Sequence, residues 1–312
     1  MTYSANSLIE ATDYNTLVGA YNTLWGTGLG STGLGQTTTL SEVLQESSVL
    51  NTEWKNLAAG ITNLGVFQGS VVASLPAFNK GDLIAYVAGL QTSLTTLNAN
   101  KGSAAEQGTM IVNSTETTSS WSNSLTFTQT VTFASGDSAR YFFNAGGQIV
   151  IQPSMVNSNQ ATGSVFFNRL ATQCGSWVIS GLGGKIVGTT YTPFTKLGGR
   201  SNVSPSNINT TLGYYNLTTN YQEAVKIFSD DTFGGAYSSG SYINLSIKTD
   251  GPDGINNDNG STLTFRIVFD EVPNGLTVSG TTKVSCFVKP PRNLYIRNTW
   301  GNISFAGTVT GS

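Results

Sequence analysis

One helical unit is written twice near the start of the chain. Thr12–Gly26 reads TDYNTLVGAYNTLWG, and Thr52–Gly65 reads TEWKNLAAGITNLG. In the first copy Tyr14, Leu17, Val18, Tyr21, Leu24 and Trp25 recur at steps of three and four. Trp54, Leu57, Ala58, Ile61 and Leu64 do so in the second. That spacing places them on one stripe of an α-helix. Each copy opens on a threonine suited to capping the first turn, carries an acid beside it and stops at glycine. Such short helices must bury their apolar face on something. A small bundle with its own core is one outcome, with Trp25 and Trp54 inside it. Tyr14, Trp25, Trp54 and Ile61 nonetheless offer more apolar surface than three short helices readily hide. They are therefore the expected docking residues.

Between the copies, Gly26-Thr27-Gly28-Leu29-Gly30 continues to Gly35. Its G-x-G patterns follow a helix rather than a strand, which argues against a dinucleotide or phosphate site and for a tight, irregular connection. Leu40, Val43, Leu44, Val49 and Leu50 form a second apolar patch, and Val71–Leu75 is β-like. A third helical stripe, opened by Gly81-Asp82, holds Leu83, Tyr86, Val87, Leu90, Leu94 and Leu97. It fades into a linker ending near Ala105, taken as the boundary between a helical module, 1–105, and a β-rich body, 106–312.

In the body the apolar period changes from 3.6 to 2. Leu125, Phe127, Val131 and Phe133 alternate with polar residues, as do runs at 223–228, 243–247, 263–269 and 284–288. Ser135-Gly136-Asp137 reads as a turn, with Ala139–Phe143 and Gln148–Ile151 as strands around Asn144–Gly147. Val165–Leu170 is ambiguous and allows a short helix ending before Gly175, and Trp177–Ile179 is again strand-like. Further turns are expected at Pro252-Asp253-Gly254, Asn259-Gly260 and Asn274-Gly275. The fold class is therefore α+β: a small N-terminal helical module followed by a body rich in antiparallel β-sandwich. The alternating tail from Trp300 is expected to pair with a neighbouring chain, with Ile303 and Phe305 at the oligomer interface.

Chemistry is sparse. The chain has no histidine, which removes histidine-based triads and most zinc sites. Asp230-Asp231 and Asp270-Glu271 are adjacent carboxylates, but neighbours on a strand point to opposite faces. Asp250, Asp253 and Asp258 share one loop with Asn256 and Asn257. It reads as a plain connection, with a calcium loop as the alternative. Tyr214, Tyr215 and Tyr221 lie among Asn and Thr, where strand packing competes with contact to a glycan or a protein. Cys174 and Cys286 read as buried thiols of a protein made in a reducing cytoplasm. No catalytic residue and no cofactor is expected.

Charge narrows the partners. Only 10% of residues are charged and the net charge is −2, a sparse surface that suits a protein living in an assembly. Without a basic excess, nucleic acid is not an expected partner. No stretch of eighteen apolar residues occurs, so no membrane span is expected. The opening MTYSANSLIE lacks the pattern of a secretory signal.

The stretch LIEATDYNTLVGAYNTLWGTG, Gly33–Gln36 (GLGQ) and the later Trp54-x-x-Leu57 resemble the N-terminal part of virion structural proteins of tailed, cyanophage-like bacteriophages. The Thr-Gln-Trp usual in that family stands here as Thr52-Glu53-Trp54. ARYFFNAGGQIVI, at Ala139–Ile151, and GSTLTFRIVFDE, at Gly260–Glu271, resemble the β-rich body of the same proteins. The resemblance covers about a fifth of the chain and touches both parts in order. It implies a non-enzymatic tail, fibre or appendage protein of the virion that docks on other virion proteins through its N-terminal module. It also implies a homo-oligomer, with a trimer expected from the fibre type. A head-decoration or neck protein is the alternative within that class. A tail protein that binds or cleaves a host surface glycan is the alternative outside it.

Overall fold

The computed structural model describes residues 10–74, 87–117, 120–187, 203–229, 240–272 and 277–311. Leu83, Tyr86, Asp230, Asp231, Asn274 and Gly275 lie outside them. The chain is α+β. Three helices come first: α1 (Ala11–Trp25), α2 (Asn51–Gln68) and α3 (Val87–Ala99). The doublet is helical in both copies, but its threonines are not the caps. The acid after each one closes the N-terminus instead. Asp13 Oδ2 accepts from the Glu10 N–H at 2.9 Å, and Glu53 Oε2 from the Leu50 N–H at 2.6 Å. The second helix also runs past Gly65 and stops at Gly69, which takes the left-handed conformation at φ 68°. Residues 71–74 form no strand.

The body holds β1 (Ile111–Thr117), β2 (Ser124–Thr132), α4 (Gly136–Asn144), β3 (Gln148–Asn157) and α5 (Thr162–Cys174). It continues with β4 (Ser176–Ile179), β5 (Gly184–Val187), β6 (Val203–Ile208), β7 (Gln222–Ser229), β8 (Tyr242–Thr249), β9 (Thr262–Asp270), β10 (Gly280–Lys289) and β11 (Ser304–Gly311). They form two antiparallel sheets, of order β1-β10-β3-β4-β5 and β11-β2-β9-β8-β7-β6. The inner faces meet as a sandwich. Ile151 and Trp177 of one sheet and Val225, Ile243, Leu245 and Ile267 of the other enclose a void of about 20 Å³. Gln129 accepts from Asn113 across the gap at 2.9 Å. The expected short helix before Gly175 is α5, whose Phe167 meets Trp121 at 5.0 Å at one end of the sandwich.

Two expectations fail here. The tail, as β11, pairs with β2 of its own chain, with Phe305 opposite Val131. Ile303 and Phe305 pack half-buried against the chain's own core. The chain's own sheet takes the tail beside β2, which satisfies one side of its backbone and leaves β11 as the edge of the sheet. The run Ala139–Phe143 is helix α4, not a strand. The Ser135 hydroxyl accepts from the Ser138 N–H at 3.1 Å, which starts the helix. Ala139, Phe142 and Phe143 then fall on one buried stripe. The same pitch stacks Arg140 and Asn144 one turn apart.

Those two side chains hold the molecule together. The glycine-rich link curls over α4 with its carbonyls pointing inward. The Arg140 guanidinium, fully buried, donates through Nη2 to Thr27 O at 2.6 Å and through Nη1 to Thr32 O at 2.7 Å and Gly30 O at 3.2 Å. Its Nε faces Asp137 Oδ1 at 3.1 Å. Asn144 Nδ2 reaches Gly33 O at 2.9 Å. The curl needs Gly28 and Gly33: both have positive φ, 52° and 88°, and a Cβ on either would run into the backbone across the loop. Farther along, Gln36 Oε1 accepts from the Arg297 N–H at 2.9 Å, and the Thr299 hydroxyl donates to Leu34 O at 2.7 Å. One apolar core accordingly runs without a break from α1 into the sandwich, so residue 105 separates two kinds of structure but not two cores.

Arg140→Ala strands a ring of inward carbonyls and leaves a cavity. We expect urea unfolding to show a loss of about 3–5 kcal/mol, the usual result of breaking a buried charged network. A loss below about 1 kcal/mol would mean that the link is held elsewhere.

Candidate functional site

The residues expected to dock lie inside the bundle. Tyr14 and Trp54 are each 1% exposed and meet edge to face at 5.1 Å, and Ile61 has no exposed surface. Trp25 donates through Nε1 to Thr38 O at 2.9 Å. The bundle can hide this stripe because the segment after the link folds back along α1. Asn15 binds both backbone groups of Val43, at 2.8 and 2.9 Å, and Asn22 does the same to Leu40. The sequence carries a signal for this grip. Tyr-Asn-Thr-Leu occurs at 14–17 and again at 21–24, seven residues apart. Two helical turns therefore give one face to tyrosine and leucine, a second to asparagine and a third to threonine.

The threonine face is open. A groove of about 360 Å³ runs between α1 and α3, with Thr16, Ala20 and Thr23 on one wall and Gln91, Thr95 and Asn98 on the other. Leu17, Leu24 and Leu94 line its floor. The threonine hydroxyls turn back to carbonyls of their own helices: Thr16 to Thr12 O at 2.7 Å, Thr23 to Gly19 O at 2.8 Å and Thr95 to Gln91 O at 2.9 Å. With the oxygens occupied, the walls are less polar than their sequence reads. No lining residue is charged.

The aspartate loop has structural work. Asp253 Oδ1 accepts from the Gly136 N–H at 2.5 Å, at the N-terminus of α4, where the helix dipole favours a carboxylate. Asp258, nearly buried, accepts from the N–H groups of Asp253 at 3.0 Å and Gly260 at 2.8 Å. Asp250 holds the start of β9 through the Thr262 N–H at 3.0 Å. Among the described residues no group of three or more acidic, cysteine or histidine side chains is placed to hold a metal ion. Asp253 Oδ1 and Asp258 Oδ1 nonetheless adjoin each other, both crowding the place where a Cβ on Gly136 would sit, and Asp258 Oδ2 is buried with no hydrogen-bond partner. Of the other acidic pair, Glu271 is buried and accepts from the Asn123 N–H at 2.8 Å, while Asp270 is half-buried.

Two of the three tyrosines are also internal. Tyr214 is fully buried, stacks on Phe143 at 4.6 Å and donates to Gly260 O at 2.8 Å. The Tyr215 hydroxyl lies 2.7 Å from Gly30 O, which makes it another tie on the glycine link. Neither is available to a glycan, and burial pushes both phenols up. Burial likewise raises the thiols of Cys174 and Cys286, which keeps them as unreactive apolar filling. Tyr221 is different. It is half-buried beside the outer face of the six-stranded sheet, with Arg266 Cζ at 4.2 Å and Lys248 Nζ at 4.9 Å from its ring centre. On the same sheet, Lys226 Nζ lies 3.7 Å from the ring centre of Tyr242.

No family model, curated protein or solved structure matches this chain. The open features of the described surface include the neutral groove of the helices, a smaller groove of about 170 Å³ lined by Val66, Leu294 and Tyr295, and the cation–tyrosine face of the sheet.

One of the loop carboxylates is set for a pH test. Burial pushes Asp250 up, but the hydrogen bonds from the Thr262 N–H and the Ser261 hydroxyl outweigh it and leave the carboxyl below its ordinary range. A group lowered in the folded state stabilises above its unfolded value, about 3.9, and that contribution is lost as pH falls through the folded value. Asp250→Asn should therefore lower thermal stability at neutral pH and flatten the decline below about pH 4. Parallel acid limbs for the two proteins would exclude this role.

Proposed function

We propose that this chain is a non-enzymatic structural component of a tailed-phage virion, a tail, fibre or appendage protein that docks through its N-terminal helices. The observation that carries the reading is the groove between α1 and α3. Its walls are small, neutral and self-bonded, and its floor is leucine. It lies between two helices of a module pinned to the body through Arg140, Asn144 and Tyr215. Such a groove accepts the apolar face of another helix, which seats by packing and loses no salt bridge on leaving water. The occupant is a neutral helix of another virion protein. The docking residues of this reading are thus the exposed wall residues Thr16, Ala20, Thr23 and Thr95, over a floor of buried Leu17, Leu24 and Leu94, in place of the aromatic stripe. The resemblance of the opening segment to virion proteins supports the same assignment.

Ala20→Glu with Thr95→Glu sets two charges in the groove without touching the core. Circular dichroism should be unchanged, and incorporation into particles made with the variant should fall by about tenfold or more, since a buried unpaired charge costs over 1.4 kcal/mol. Normal incorporation would overturn this docking site.

Self-association is the second part of the proposal. The edges β1 and β11 lie side by side at one margin of the sandwich. Ile111 and Val112 there are 40% and 51% exposed. Closure of three copies over this margin covers the apolar strip and the free strand edges together. Sedimentation equilibrium of the purified protein should give a trimer, with Val112→Asp shifting it to monomer. A monomer at all micromolar concentrations would count against self-closure.

A further inference from the structure

The outer face of the six-stranded sheet has a chemistry that neither the groove nor the sandwich core requires. Three cations sit on three adjacent strands: Lys226 on β7, Lys248 on β8 and Arg266 on β9. The register places Lys226 opposite Asn244, Ser246 opposite Arg266 and Lys248 opposite Thr264. With strands about 4.8 Å apart, the three charges span roughly 10 Å of sheet. Each cation is held over a tyrosine ring, Lys226 over Tyr242 and the other two over Tyr221.

Two acids share this face, Glu223 in the row of Ser246 and Arg266, and Asp270 on β9, which leaves three cations against two carboxylates. Asn244 Nδ2 donates to Glu223, and Asp270 hydrogen-bonds the Tyr242 hydroxyl. None of the three cations is a member of the ion pairs seen among the described residues, which include Arg140–Asp137 and Arg292–Glu106. Arg266 is the sharpest case. It is half-buried, it lies on the Tyr221 ring, and its Nε is covered with no acceptor. An arginine has five N–H donors in a planar fork, and the one on Arg266 Nε has no acceptor within the described protein. Stacking on tyrosine fixes the plane of that fork and lowers the ordering cost of binding an anion.

The rest of the face fits a polyhydroxylated ligand. The outward positions of β2 and β9 next to Arg266 are Thr126, Thr128, Thr130, Thr264 and the apolar Val268, all half-buried, and Thr308 and Thr310 extend the threonine rows onto β11. Hydroxyls both donate and accept, which suits sugar hydroxyls. An open sheet face encloses no small ion. It suits a chain that lies across several strands and gains from repeated weak contacts.

We infer that the outer face of the six-stranded sheet, centred on Arg266, Lys248 and Tyr221, binds an acidic polysaccharide through its carboxylate or sulfate groups. The planar fork of Arg266 pairs with the anionic group, Lys248 and Lys226 take neighbouring ones, and the threonine rows meet the sugar hydroxyls. Nucleic acid fits less well, because three cations on a chain of net charge −2 supply little of the phosphate neutralisation that such binding needs. Binding on this face stands whether or not the helices dock on a particle.

The test uses the full chain against four immobilised polymers: polygalacturonate, dextran sulfate, neutral dextran and a single-stranded oligonucleotide. We expect binding to at least one acidic polysaccharide, weakened by salt, and none to neutral dextran. Polygalacturonate and dextran sulfate tell carboxylate from sulfate recognition. Arg266→Gln with Lys248→Gln should weaken binding by about tenfold or more. Arg266→Lys, which keeps the charge and loses the fork, should fall between. Lys101→Gln, at the end of α3 and away from the face, should bind as the wild type does. Circular dichroism and urea midpoints confirm that the variants are folded. Four results would overturn the inference: no binding to either acidic polymer, equal binding to neutral dextran, tighter binding to the oligonucleotide, or full binding by the folded double variant.

Discussion

A single buried guanidinium ties the two kinds of structure together. Helices and sheets normally meet through apolar faces, and here they do so as well, but the link between the first two helices turns its carbonyls inward over α4. Inward carbonyls need donors. Arg140 supplies three of those bonds from one side chain. Its own charge is met by Asp137 one turn earlier. Asn144 and Tyr215 complete the set, and Asp253 settles the N-terminus of the helix that carries Arg140 and Asn144. The aspartates and tyrosines that invite a functional reading in the sequence are thus largely parts of this polar joint. The joint also explains why the aromatic stripe of the bundle is covered: once the link is fixed, the segment behind it must run back along α1, where Asn15 and Asn22 receive it.

Much of the fold is legible in the sequence, and the exceptions have physical causes. The doublet is readable because each copy has a sharp apolar stripe of helical period, and the sandwich strands because Leu263, Phe265, Ile267 and Phe269 alternate with outward residues. Ala139–Phe143 misleads because alanine, arginine and three aromatics give no clear period over five residues. What decides the matter lies elsewhere in the chain, in the carbonyls of 27–33 and in Asp253. The caps mislead for a nearer reason: threonine and the acid beside it compete for the same role, and the acid's longer reach wins.

Surface features were harder to read than core features. Large aromatics draw attention as docking residues, yet Tyr14 and Trp54 are exposed by only 1% each. The groove that is open is built of threonine and alanine, whose chemistry is hidden until hydroxyl and carbonyl are seen to pair. The cations on the sheet come from positions 226, 248 and 266, each unremarkable in its own segment. Strand register alone gathers them, and register is set by the buried partners on the opposite side of each strand.

The contacts between Gln36 and Arg297 and between Leu34 and Thr299 join positions 261 and 265 residues apart. Closing so long a loop is slow relative to forming the helices themselves. During synthesis α1 and α2 leave the ribosome early, but the glycine link has no complete bed until the segment around Trp300 has emerged. The helical module is therefore fastened to the body only once the segment from Arg297 to Trp300 has been made. A chain stopped before that segment would carry formed helices on an unfastened link, and the order of synthesis itself separates molecules that contain it from those that lack it.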